Sequence, residues 1–83
     1  MREDDIKNAI INLVYRYSDW TIGITDNPSR RKSEHRNPKD WYRWRANTEN
    51  VARRIERYFL GKGMSGDTGG GINPNYVYIF KHY

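Results

Sequence analysis

Hydrophobic spacing along the chain switches between a helical and an alternating period, and the switches mark its elements. Over residues 3–17, Ile6, Ala9, Ile10, Leu13, Val14 and Tyr17 recur at spacings of three and four, which predicts an amphipathic helix. Glu3, Asp4 and Asp5 occupy its first turn, where negative charge complements the helix dipole. The period then drops to two. Trp20, Ile22 and Ile24 share one face of a predicted strand over 20–25, with Thr21, Gly23 and Thr25 on the other. Gly23 has no side chain, so this face is open either to a close approach or to a β-bulge. Asp26-Asn27-Pro28 starts a second helix, with Asn27 as cap and Pro28 in the first position. That helix carries Arg30, Arg31, Lys32, Glu34 and His35, has almost no apolar face, and ends before Pro38.

Alternation returns at 41–46, with Trp41, Arg43 and Arg45 on one side of a short predicted strand and Tyr42, Trp44 and Ala46 on the other. Thr48 caps a third helix over residues 49–60, whose buried stripe is Val51, Ala52, Ile55, Tyr58 and Phe59. Gly61 and Gly63 stop it. Residues 61–75 hold six of the seven glycines and match neither the phosphate-cradling nor the dinucleotide glycine pattern, which predicts an irregular loop. Tyr76-Val77-Tyr78-Ile79-Phe80 reads as a third strand, aromatic on one face and β-branched on the other.

These elements predict one α+β domain over residues 1–83, a small three-stranded antiparallel sheet flanked by about three helices. Its parts are an N-terminal helix in 1–19, a motif-bearing region in 20–60, a Gly-rich loop in 61–75 and a C-terminal strand in 76–83. A chain of 83 residues suffices for one domain and buries only about 60–65% of its unfolded surface. Three Trp, seven Tyr and two Phe supply bulk, which is compatible with a compact core built from rings rather than aliphatic stacks. The absence of cysteine excludes disulfides and thiolate metal sites and makes a cytoplasmic location the expectation. No apolar run approaches the roughly 18 residues that span a bilayer, and no signal-peptide pattern opens the chain.

The net charge of +5 is unevenly placed. Residues 28–57 hold ten Lys/Arg against four Asp/Glu, and the remainder five against six. Cations interleaved with Trp41, Tyr42 and Trp44 suit a polyanion: charges for phosphates, flat faces for bases. Arg30, Lys32, Arg43, Arg45 and Trp41 are the candidate nucleic-acid contacts, on DNA in preference to RNA. A merely solvated cationic surface is the alternative.

Two positions carry more specific chemistry. Arg31 and His35 are four apart on a helix, so a permanent cation and a titratable imidazole share one face beside the strand end opened by Gly23. Glu56 borders the apolar stripe of the third helix, beside Ala52, Phe59 and Leu60. A carboxylate there is partly desolvated unless a cation meets it, either Arg53, Arg54 or another nearby Arg in an ion pair, or a hard divalent ion such as Mg²⁺.

The order of these features resembles the GIY-YIG endonuclease domain over residues 20–60. Thr21-Ile22-Gly23 takes the position of the family's second tripeptide, Thr25 follows, Arg31 stands eight after Gly23, and His35 four after Arg31. Ala52-Arg53-Arg54-Ile55-Glu56 resembles the later helix bearing the family's metal-binding Glu. The first tripeptide is missing upstream, and the tyrosine of the second is Thr21. A permuted arrangement, with the strand around Tyr76-Val77-Tyr78 in the missing strand's place, would let Tyr78 or Tyr76 supply a phenol. The resemblance implies Mg²⁺-dependent DNA phosphodiester hydrolysis. Glu56 would hold the ion, Arg31 would stabilise phosphoryl charge, and a tyrosine or His35 would assist proton transfer. A catalytically inactive binder using the same basic face, and a protein-interaction domain, are the alternatives. A chain this short leaves target specificity to the glycine loop or a protein partner.

Overall fold

A computed structural model describes residues 1–67 and 72–81. Three helices, α1 (Glu3–Leu13), α2 (Pro28–Glu34) and α3 (Glu49–Gly61), combine with four strands, β1 (Trp20–Thr25), β2 (Trp41–Arg45), β3 (Ser65–Gly66) and β4 (Tyr76–Lys81). The class is α+β. The sheet order is β2-β4-β1-β3, with β4 antiparallel to both neighbours and β3 parallel to β1. The expected three antiparallel strands are present, and a fourth, two-residue strand is added where the Gly-rich loop was expected. Asp67 extends that edge, its N–H donating to the Ile22 carbonyl at 3.1 Å.

The local chemistry explains most element ends. Asn27 Oδ1 accepts from the Arg30 N–H at 3.0 Å and Thr48 Oγ1 from the Val51 N–H at 3.1 Å, so each cap satisfies an otherwise unpaired helix donor. Helix α3 closes in a Schellman motif: Gly63, at φ 115°, donates to the Leu60 carbonyl and Met64 donates to that of Phe59. Helix α1 is shorter than its spacing predicts. Val14 takes extended backbone and Tyr17 begins a separate 3₁₀ turn. Both still reach the core from non-helical backbone, Val14 buried and Tyr17 5.9 Å from the Phe59 ring, so the apolar spacing outlasts the helix.

The strands' two faces differ. Ile22, Ile24, Val77 and Ile79 point to one side and pack with Ile6 and Ile10 of α1 and Ala52, Ile55 and Phe59 of α3. Tyr58, expected in that stripe, is exposed, with the ammonium groups of Lys7 and Lys62 4.5 and 5.3 Å from its ring centre. The register sets the other side: Thr21, Gly23 and Thr25 oppose Phe80, Tyr78 and Tyr76, which in turn oppose Trp41, Arg43 and Arg45. Helix α2 reaches this second face, with its Arg31 bonded to Tyr78.

Candidate functional site

Tyr78 organises the second face. It stands in β4 directly opposite Gly23, and its phenol lies flat over that glycine: a Cβ at Gly23 would overlap the Oη and sit 2.9 Å from Cε2. The bare position in β1 is thus a close approach by a buried side chain, with no bulge. Trp41 stacks on the Tyr78 ring at 4.6 Å and 13°, and Phe80 lies 5.8 Å from Trp41. Aromatic stacking of this kind fixes ring positions as well as burying area.

Four polar groups meet over this floor. Arg31 Nε donates to Tyr78 Oη at 3.3 Å. Asp67 Oδ2 accepts from Tyr78 Oη, lies 2.7 Å from His35 Nε2, and is 3.2 Å from Arg31 Nη2. Arg31 Nη1 also pairs with Glu34 at 3.0 Å. The His35 ring packs 4.5 Å from Phe80. Because a carboxylate accepts, His35 Nε2 is the donor to Asp67, which in a neutral imidazole leaves Nδ1 as the acceptor. Side chains of Arg31, Asp67 and His35 retain 19, 18 and 25% of their surface, enough for a ligand to reach them.

Backbone geometry positions His35. It caps the C-terminus of α2 and is followed by Arg36 and Asn37, both in the left-handed region at φ 63° and 51°. Arg36 N–H donates to the Ser33 carbonyl and Asn37 N–H to that of Lys32, closing a Schellman turn without glycine. A non-glycine residue in this region costs roughly 1–2 kcal/mol.

The electrostatics assign different states to these groups. Burial pushes the Tyr78 phenol above its ordinary 10.0, and its bond to Asp67 pushes it further, so the phenol keeps its proton at neutral pH. Burial also raises the Asp67 carboxyl, but hydrogen bonds from Tyr78 and His35 and the Arg31 charge outweigh it and leave the carboxyl below its ordinary 3.8. Glu56, half-buried, is raised above 4.5, first by burial and also by the Asp67 charge, against the lowering effect of Arg53 and Arg57. Among the described residues it forms no hydrogen bond or ion pair. Its expected partners are engaged elsewhere, Arg53 with Glu49 at 2.7 Å and Arg54 with Glu3 at 2.9 Å.

The sequence candidates therefore divide. Arg31, His35 and Tyr78 meet; Tyr76 does not join them and carries Arg45 over its ring at 6.0 Å. Glu56 stands apart from the cluster and feels it through the charge of Asp67. Lys32, Arg43 and Trp41 line a cavity of about 200 Å³ with Pro28 and Ser29. Arg30 is exposed and paired with Asp26. Asp67, the acceptor at the centre, was not among the candidates. Its only sequence signal is an acidic residue after Ser65-Gly66, in a segment whose glycines read as a loop. No group of three or more His, Cys, Asp or Glu suited to a metal occurs among the described residues. Glu56 alone, half-buried and unpaired, has the character of a single carboxylate ligand, and Mg²⁺ takes one or two carboxylates with water and substrate phosphate completing its shell. No family model, curated protein or solved structure matches the chain.

Proposed function

We propose that this chain is a divergent GIY-YIG-like nuclease module that hydrolyses DNA phosphodiester bonds. The observation that carries the reading is the meeting of Arg31, His35 and Tyr78, drawn from α2 and β4, over the bare Gly23 of β1. Strand β4 lies between β1 and β2, which is consistent with a permuted strand in the place of the missing first tripeptide.

In this reading water attacks phosphorus, its proton passes to His35 Nδ1, the P–O bond to the leaving oxygen breaks and that oxygen takes a proton from solvent, while Asp67 holds the imidazole through Nε2 and stabilises the imidazolium that forms. Arg31 faces the charge that develops on the phosphoryl oxygens. Tyr78, kept neutral by its surroundings, donates and orients and does not act as the base. Glu56 would hold a Mg²⁺ ion, which when bound supplies Lewis-acid stabilisation of the leaving oxygen. A second reading, a nucleic-acid binder without catalysis, is favoured by one observation: Asp67 already neutralises Arg31 and occupies His35 and Tyr78.

Nicking of supercoiled plasmid in Mg²⁺ separates the two. Cleavage by the native chain that falls about 100- to 1,000-fold in Arg31→Ala supports hydrolysis at this cluster. DNA binding without cleavage in any divalent metal supports the binder.

A further inference from the structure

We propose that the cavity between α2 and β2 seats one unpaired nucleotide of the DNA strand, its base against Trp41 and its phosphate between Lys32 and Arg43. This rests on the reading that DNA is bound on this face, and it adds a structural preference: a strand locally free of its complement.

Three observations converge on it. The first is continuity with the cluster. Trp41 lines the cavity and also stacks on Tyr78, Lys32 follows Arg31 in α2, and Arg43 opposes Tyr78 in the sheet register. The second is charge. Among the described residues no acidic one lines the cavity. Among the described residues neither Lys32 nor Arg43 forms an ion pair, whereas Arg30 and Arg31 of the same helix are paired with Asp26, Glu34 and Asp67. Two unneutralised cations flanking an indole match a phosphate attached to a flat ring. The third is size. A cavity of about 200 Å³ is on the scale of one base, and a base paired in a duplex must leave the stack to enter it. Trp41 is already fixed by its ring neighbours, and a pre-ordered platform loses little entropy when a base stacks on it.

The test is fluorescence anisotropy in EDTA with a labelled oligothymidylate, alone and annealed to oligodeoxyadenylate. The single strand is expected to bind tighter than the duplex. Trp41→Ala should weaken single-strand binding by roughly tenfold, and Trp41→Phe should restore most of it. Lys32→Ala and Arg43→Ala, which alter only the cavity wall, should each reduce the salt slope of single-strand binding by about 0.7. Equal affinity for both probes, or single-strand affinity and salt slope unchanged in both Lys32→Ala and Arg43→Ala, would overturn the proposal. Plasmid nicking without any dependence on these three residues overturns the nucleotide seat alone. Trp41-dependent binding without cleavage in any metal overturns the hydrolytic reading and leaves the seat standing.

Discussion

The two faces of one sheet use their residues in opposite ways. On the side of α1 and α3, Ile22, Ile24, Val77 and Ile79 belong to one apolar cluster and are fully or almost fully buried. On the side of α2, the strands present threonines, a glycine, arginines and four aromatic rings, and the most buried of these rings ends in a hydroxyl tied to Asp67 and Arg31. The first face gains stability by removing carbon from water. The second buries ring area too, but also holds a carboxylate, a guanidinium and an imidazole at short range, with two consecutive left-handed residues behind the imidazole. Strain and partly buried charge of this kind are concentrated where a protein acts on a ligand.

Substitutions should therefore separate stability from chemistry according to face. The largest stability loss is expected from Ile55→Ala, about 2–5 kcal/mol in urea denaturation, since Ile55 is wholly buried in the apolar layer. Gly23→Ala is expected to cost about 1–3 kcal/mol, because the new methyl displaces the Tyr78 phenol, and to disturb Arg31 and Asp67 with it. A loss at Gly23 as small as that of an exposed substitution would break the contrast.

Two carboxylates sharpen it with opposite signs. Glu56 has a raised pKa in the folded state, so the folded chain holds that proton more tightly than the unfolded chain does. Its contribution to stability falls as pH rises from 4.5 through the folded value. Glu56→Gln should remove that loss and melt at or above the native temperature at neutral pH. Asp67 has a lowered pKa, so its contribution is present above 3.8 and lost as pH falls through the folded value. Asp67→Asn should flatten the acid limb of the stability profile and lower stability at neutral pH. The smallest effect is expected at Arg36→Gly, a gain of up to roughly 1 kcal/mol from relief of the left-handed backbone.

Elements written in local chemistry were legible in the sequence. Asn27 and Thr48 cap, Pro28 starts a helix, Gly63 ends one, and alternation marks β1, β2 and β4. The end of α1 was not, because Val14 and Tyr17 keep a helical spacing while serving the core from other backbone. Arg31 and His35 were legible as neighbours because four residues on a helix fix their relation. Strand alternation gives Tyr78, the named candidate, and its alternative Tyr76 the same face; the register opposite Gly23 separates them. Asp67 was illegible for a different reason. A two-residue strand has no period, and its place beside β1 is decided by long-range pairing with Thr21 and Ile22.

Plasmid nicking by the native chain and by Glu56→Gln, in Mg²⁺ and with melting temperatures recorded in parallel, bears most directly on the proposed hydrolysis. Cleavage by the native chain is expected, and its loss in a variant that is at least as stable. Cleavage undiminished in Glu56→Gln, or none by the native chain in any divalent metal, would contradict it.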